Sequence, residues 1–124
     1  MSQQQKPCKV LVVDDDPIIR DMMIDILDFE GYPIRVARNG QEALDVLQGD
    51  ENYLVFLDLM MPVMGGKEVC QALEAQPQLR NRHIIILMSA AHYLAEAASL
   101  NVYSTMPKPF SVDDVMDVIE PFMG

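Results

Sequence analysis

Five short apolar runs alternate along this chain with stretches of helical periodicity, and this alternation limits the possible folds strongly. The runs are rich in β-branched residues and have the length of strands that are buried on both faces. They predict strands at Cys8–Val13, Ile34–Ala37, Tyr53–Leu57, His83–Met88 and Val102–Met106. Strands that alternate with helices form a parallel sheet with helices on both faces. The sequence therefore predicts an α/β fold, and 124 residues are enough for one such domain.

Capping residues and apolar residues at helical spacing locate the helices between these strands. Pro17 opens the first helix, and Asp16 is expected to cap it. Ile18 in the first helix and Val112 in the last are expected on the inner faces, whereas Arg20 is expected on the outside. The other predicted helices are residues 40–48 behind the cap Asn39, residues 66–75, the alanine-rich residues 93–100, and a last helix capped by Ser111.

Polar side chains follow four of the predicted strands. In the stretch YLVFLDLMMPVMGG at 53–66, Asp58 stands where the apolar run ends, and Pro62 cannot donate to a strand ladder. The same placement recurs after the first, fourth and fifth strands, with Asp14, Asp15, Ser89 and Lys108. The carboxyl ends of parallel strands meet at one edge of the sheet, which is where such sheets bind ligands. The sequence thus predicts three carboxylates, a hydroxyl and an amine at one edge.

This set of groups favours phosphoryl chemistry with a hard cation. Carboxylates that share a pocket repel each other unless protons or a cation neutralise them. Oxygen ligands with room for water molecules suit Mg²⁺. Lys108 and Ser89 suit a phosphoryl group, because one offsets its charge and the other donates a hydrogen bond. Asp58 is then expected to be the nucleophile and to form an acyl phosphate.

Composition excludes several other classes of protein. The net charge of −10 argues against nucleic acid or an anionic membrane as a direct partner, and it is compatible with cations and proteins. The first residues, MSQQQKPCK, do not have the pattern of a secretion signal and no apolar run reaches about 18 residues, so we expect neither export nor a transmembrane helix. Its two cysteines form no disulfide framework, so we expect reduced thiols and a cytoplasmic location. Residues 1–7 are predicted to be a flexible tail and residues 8–124 the domain.

Four motifs in order resemble the receiver domain of two-component response regulators, in particular single-domain regulators of the chemotaxis type. They are VVDD at 12–15, LDLMMP at 57–62, MSA at 88–90 and KPF at 108–110. The resemblance covers residues 8 to 123 and implies a flavodoxin-like, doubly wound (βα)₅ sheet with strand order 2-1-3-4-5. It implies that Asp58 accepts a phosphoryl group from a sensor histidine kinase or a histidine phosphotransfer protein.

The resemblance also implies roles for the other residues at this edge. The Mg²⁺ ligands would be Asp14, Asp15, Asp58 and the backbone carbonyl of Met60. Ser89 and Lys108 would bind the phosphoryl group. The Lys108–Pro109 peptide bond would be cis, which is the minority state of such bonds.

One position departs from the pattern of the family. Receivers usually carry a switch aromatic three residues before the lysine, and Thr105 occupies that position here. Either Tyr103 takes over part of that role, or it is a surface aromatic and the switch is altered. Met60 and Ala91, two residues after Asp58 and Ser89, cannot hold an attacking water, so we predict a long-lived phosphoryl group.

Three functions stay open on the sequence alone. The first is a phosphorylation-dependent signalling module, whose chemistry acts only on itself and which is therefore not expected to be an enzyme. It would act as a monomer or weak homodimer and bind a downstream protein through its fourth helix, fifth strand and fifth helix. The second is a pseudo-receiver that binds proteins independently of phosphate. Thr105 keeps this function open, whereas the intact set of site residues speaks against it, namely Asp14, Asp15, Asp58, Ser89 and Lys108. The third, a small-molecule phosphotransferase, needs a lid that no long loop supplies.

Overall fold

A computed structural model describes residues 7 and 9–123, and its five strands form one parallel sheet. The strands are β1 Lys9–Val13, β2 Ile34–Ala37, β3 Tyr53–Asp58, β4 Ile84–Ala90 and β5 Ser104–Lys108. They lie in the order β2-β1-β3-β4-β5, and all four neighbouring pairs are parallel. The predicted doubly wound α/β sheet is confirmed. Residues 1–6 of the predicted tail, the predicted strand start at Cys8 and the chain end at Gly124 lie outside the described residues.

Helices cover both faces of the sheet. They are α1 Pro17–Phe29, α2 Gly40–Leu47, α3 Gly66–Glu74, the one-turn α4 Pro77–Arg80 and α5 Val112–Met123, and a 3₁₀ segment Ala91–Ser99 lies between β4 and β5. Alternate residues of β3 point into two separate cores, as the period of a strand requires. Val55 and Leu57 pack with α2 and α3, whereas Leu54 and Phe56 pack with α1 and α5. No helix in the described part of the chain is long and apolar enough to span a membrane.

The predicted caps begin three of the helices. The Asp16 carboxylate accepts the Ile18 N–H at 2.9 Å, and the Asn39 side-chain oxygen accepts the Glu42 N–H at 2.9 Å. The Ser111 hydroxyl oxygen accepts the Asp114 N–H at 3.1 Å. Each cap satisfies a backbone donor that has no partner within its helix. These three predictions are confirmed.

Five predicted strand boundaries within the described residues are wrong. β4 begins at Ile84 rather than His83, and it continues beyond Met88 because Ser89 and Ala90 pair with β5. β5 begins at Ser104 rather than at 102, because the Val102 N–H donates to the Leu100 carbonyl at 3.1 Å and not to a strand. β3 ends at Asp58 rather than Leu57, and β5 ends at Lys108 rather than Met106, so both strands include a site residue that was expected just beyond the end.

The helix predictions need four corrections. The predicted helix at 93–100 is a 3₁₀ segment, which has no side-chain cap and buries Ala97 among its described side chains. Helix α4 was missed because a single turn carries no periodicity. Ile18 and Val112 are not on inner faces, since they are 74% and 56% exposed. Arg20 does not point outward, because its guanidinium turns back toward the loop after β1.

Candidate functional site

Four strands bring the polar residues predicted from the sequence to one cleft. Asp14 directly follows β1, Asp58 and Lys108 are the last residues of β3 and β5, and Ser89 is the last residue but one of β4. The residues that line this cleft are Asp14, Asp15, Asp16, Asp58, Met60, Ser89, Ala90, Tyr93 and Lys108. The cleft therefore lies at the carboxyl edge of the sheet, beside the point where the strand order reverses.

Three carboxylates converge in this cleft. One oxygen each of Asp14, Asp15 and Asp58 lies within 4.8 Å of the other two. Asp14 is fully buried and Asp58 is 4% exposed, whereas Asp15 is exposed. A group of oxygen donors with one side open to water is what a hard divalent cation such as Mg²⁺ requires. The residues present thus fit a cation of this kind.

Lys108 bridges two of the carboxylates. Its Nζ lies 2.7 Å from Asp14 Oδ2 and 3.4 Å from Asp58 Oδ1. Burial acts to lower the pKa of Lys108, but the hydrogen bond to Asp14 and the charge of Asp58 outweigh it, and the pKa is raised. The amine therefore stays an ammonium ion at neutral pH, with one donor already on Asp14.

Asp58 is the carboxylate whose protonation the site alters most clearly. Burial, together with the neighbouring charge of Asp14, raises the pKa of Asp58 to about 7, although Lys108 acts to lower it. The Met60 N–H, 3.4 Å from Asp58 Oδ1, also acts to lower it. A bound cation would favour the ionised form further. Asp58 is thus present both as the protonated acid and as the carboxylate near neutral pH.

The loop after β3 approaches Asp58 closely, and this explains why position 66 is a glycine. A Cβ atom on Gly66 would lie 2.7 Å from the Asp58 carbonyl oxygen. Any side chain at this position would push the start of α3 away from the end of β3. In the same loop Met60 is 53% exposed and lines the cleft, and its N–H lies 3.4 Å from Asp58 Oδ1, so its backbone lies beside Asp58.

Four contacts fix Asp14. Its N–H donates to the Ala37 carbonyl at 3.2 Å, and its carboxylate accepts the Asp16 N–H at 2.9 Å and the Lys108 ammonium. The fourth contact was not predicted: Arg20 Nη1 donates to the Asp14 backbone carbonyl at 2.8 Å. Helical periodicity gives only the side of a helix, so it could not indicate that a long side chain near the start of α1 reaches back to the loop.

Ser89 lies buried in the cleft, with 2% of its surface exposed, and the Lys108–Pro109 bond is cis.

The structure separates Thr105 and Tyr103, the two candidate switch residues, from the cleft. Thr105 is exposed and does not line the cleft. Tyr103 is 57% exposed, and its ring packs edge-on against Phe122 with 4.9 Å between the ring centroids. In this structure Tyr103 is thus a surface aromatic against α5, which agrees with the second of the two interpretations.

Comparisons with known proteins agree with this geometry. A family model described as response regulator receiver domain matches residues 10–120. Response regulator MprA of Mycolicibacterium vanbaalenii is 34% identical over 112 residues, which are 89% of this chain and 48% of that protein. The chain thus spans about half the length of the curated relatives that it matches first.

Two solved structures are similar in both sequence and fold. The CheY-like receiver domain protein of Methanospirillum hungatei JF-1 is 28% identical, with a TM-score of 0.81 and 94% of each chain covered. The response regulator TrrA of Thermotoga maritima, solved in complex with Mg(2+)-BeF, is 32% identical with a TM-score of 0.78. That match covers 93% of this chain and 98% of the other.

Proposed function

The chain belongs to the response regulator receiver domain family, and from this membership we propose that it is a phosphorylation-dependent signalling module with Asp58 as phospho-acceptor. Receiver domains of response regulators interact with histidine kinases. The donor would be the phosphohistidine of a sensor kinase or of a histidine phosphotransfer protein. The observation that carries this proposal is the convergence of three carboxylates within 4.8 Å, with the Lys108 ammonium between two of them.

The reaction needs a charged nucleophile and neutralised phosphoryl oxygens. A carboxylate oxygen of Asp58 attacks phosphorus, the phosphorus–nitrogen bond of the donor breaks, and the imidazole leaves with the electron pair. The Lys108 ammonium offsets charge on the phosphoryl oxygens, and the Ser89 hydroxyl donates a hydrogen bond to them. Both residues line the cleft beside Asp58. The product is an acyl phosphate, and all of the chemistry happens on the chain itself, so no separate substrate is turned over.

The three acids also suggest a cofactor. Asp14, Asp15 and Asp58, with the backbone carbonyl of Met60, would hold Mg²⁺, which neutralises charge on a phosphoryl group during transfer. The Mg(2+)-BeF complex of the similar T. maritima regulator supports this choice. The side chains of Met60 and Ala91 have no group that could orient water, which supports a long-lived phosphoryl group.

A second candidate function rests on Thr105. This residue is exposed and does not line the cleft, so a switch that depends on an aromatic ring at this position is altered. A pseudo-receiver, which binds a protein partner regardless of phosphate, is the function that this observation favours. In either case we expect a cytoplasmic domain of residues 8–124 whose downstream partner contacts the 3₁₀ segment, β5 and α5.

Intact-mass spectrometry separates the two functions. The native chain and Asp58→Asn are each incubated with Mg²⁺ and acetyl phosphate, whose carboxylate leaves as acetate. If the chain is a receiver that acts through Asp58, the native chain gains the mass of one phosphoryl group and the variant gains none. Equal labelling of both chains would contradict the assignment of Asp58. No gain, together with a silent Mg²⁺ titration, would favour the pseudo-receiver.

A further inference from the structure

Arg20 makes a contact with the loop after β1 to which the reaction above assigns no role. Its Nη1 donates to the Asp14 carbonyl at 2.8 Å, and so it reaches back six residues along the chain. This carbonyl belongs to the peptide unit that joins Asp14 to Asp15. Because a peptide unit is planar, fixing the direction of its carbonyl also fixes where the main chain of Asp15 begins.

Asp15 depends on this support more than Asp14 does. The carboxylate of Asp14 is held by Lys108 and by the Asp16 N–H. Asp15 is exposed, and within the described residues no hydrogen bond holds its carboxylate. One of its oxygens nevertheless lies within 4.8 Å of oxygens of the other two acids. The position of the Asp15 carboxylate therefore depends on its main chain, which Arg20 restrains.

We propose that Arg20 is a positioning residue for the metal site: it clamps the Asp14 carbonyl and so holds the Asp15 carboxylate where one divalent cation can contact all three acids. This inference rests on the proposed function, because it assumes that a cation binds in this cleft. It assigns a role to a side chain that the sequence placed on the outer face of α1.

The charge of Arg20 acts in the opposite direction from its clamp. A guanidinium ion beside the main chain of Asp14 repels a divalent cation in the cleft, so loss of the charge alone would strengthen Mg²⁺ binding. Loss of the clamp would weaken it, since groups that orient metal ligands contribute about 10–100-fold to metal affinity. The sign of the change in affinity therefore distinguishes a positioning role from a purely electrostatic one.

Isothermal titration of the whole chain with MgCl₂ tests this role. The proteins are the native chain, Arg20→Gln, Arg20→Lys and the matched control Arg38→Gln. Arg38 is an exposed arginine that pairs with Glu42 at 2.8 Å, so its substitution removes the same charge without touching Asp14. We expect about tenfold weaker Mg²⁺ binding for Arg20→Gln. Arg20→Lys keeps the charge and one donor, so its Mg²⁺ affinity should lie between those of Arg20→Gln and the native chain. Arg38→Gln should bind Mg²⁺ as tightly as the native chain does, or more tightly.

The outcomes separate this inference from the proposed function. Arg20→Gln that binds Mg²⁺ as tightly as the native chain, or more tightly, overturns the positioning role, and so does equal weakening by Arg38→Gln. A native chain that does not bind Mg²⁺ at all overturns the metal site and with it the role of Arg20. Circular dichroism first establishes a temperature at which every variant is folded. If Arg20→Gln does not fold, Arg20→Lys alone must show weaker binding.

Discussion

At the scale of single residues, Asp58 is buried and yet must be ionised to act as the proposed nucleophile. Its pKa is raised to about 7 in the folded chain, first by burial and then by the charge of Asp14. At pH values between the ordinary carboxyl pKa and about 7, the folded state binds more protons than the unfolded state. The contribution of Asp58 to stability is therefore fully present at acidic pH and is lost as the pH rises through 7.

Asp58→Asn should therefore be more stable than the native chain at alkaline pH. Without divalent cations we expect a gain of about 1–3 kcal/mol near pH 8, which shrinks toward zero near pH 4. Urea unfolding in EDTA at several pH values measures this difference. The control is Asp50→Asn, since Asp50 is exposed in a loop and its substitution should change stability by less than about 0.5 kcal/mol. A variant that is less stable than the native chain at pH 8 would contradict the account of Asp58.

Val63 lies in a backbone conformation that β-branched residues rarely adopt. Its φ is 72°. The Met64 N–H donates to the Pro62 carbonyl at 2.9 Å, and this hydrogen bond closes a three-residue turn with Val63 at its centre. The side chain is 94% exposed, so its burial does not offset this strain. Val63→Gly should raise the free energy of unfolding by about 1 kcal/mol, even after the greater freedom of glycine in the unfolded chain. Val63→Ala keeps the Cβ, so its free energy of unfolding should rise much less. An equal rise in both variants would contradict this explanation.

At the scale of elements, His83 joins three parts of the fold at the edge of the sheet opposite the cleft. Its Nδ1 accepts the Tyr53 N–H at 3.1 Å, and its Nε2 lies 2.9 Å from the Leu47 carbonyl. The ring therefore carries its proton on Nε2, because a carbonyl can only accept. Burial is the main cause that lowers the pKa of His83, and the charges of Arg82 and Arg80 add to it. The stability that neutral His83 supports is present above the unfolded pKa and is lost as the pH falls through the folded one.

NMR of the His83 ring can test this assignment. We expect the neutral Nε2–H tautomer at neutral pH and a titration midpoint below the ordinary value of about 6.5. The same titration in concentrated urea serves as the control, since the unfolded chain should show a midpoint near the ordinary value. A folded-state midpoint at or above the value in urea would contradict the effect of burial.

Sequence predicts an element well where one physical signal dominates. The runs that form β1, β3 and β4 are almost wholly buried, so apolar side chains and turn residues locate most of their ends within one or two residues. β5 is an edge strand with only Met106 buried, and its start depends on a backbone turn at 100–102 that no side chain indicates. The sequence predicts a helix for the 3₁₀ segment because alanine has high helix propensity, but only Ala97 is buried among the side chains described there, and most helical stability comes from packing.

The candidate site follows the same rule. Asp14, Asp58, Ser89 and Lys108 were predictable because each stands at or next to the end of an apolar run, and parallel strands bring such ends together. Arg20 was not, because its role depends on how far a side chain reaches across a loop. The position of Thr105 away from the cleft was likewise not predictable, because it depends on the register of β5 against β4. In that register Thr105 lies opposite Leu87.

At the scale of the whole molecule, a net charge of −10 and a cleft with three carboxylates give Mg²⁺ two ways to stabilise this chain. Salt of any kind screens the repulsion among its acidic side chains. Mg²⁺ would in addition bind the three carboxylates of the cleft, and a ligand that binds only the folded state stabilises it. The two effects can be separated by comparing salts at equal ionic strength.

About 10 mM MgCl₂ should therefore raise the free energy of unfolding by about 1 kcal/mol more than about 30 mM NaCl of the same ionic strength. Asp15→Asn should lose this excess, because it removes an exposed carboxylate from the cleft without leaving a buried partner unpaired. Asp113→Asn removes the same charge from the exposed side of α5 and should keep the excess. Urea unfolding in both salts measures it. If the native chain were equally stable in the two salts, screening alone would account for the cation effect and the cleft would have no part in it.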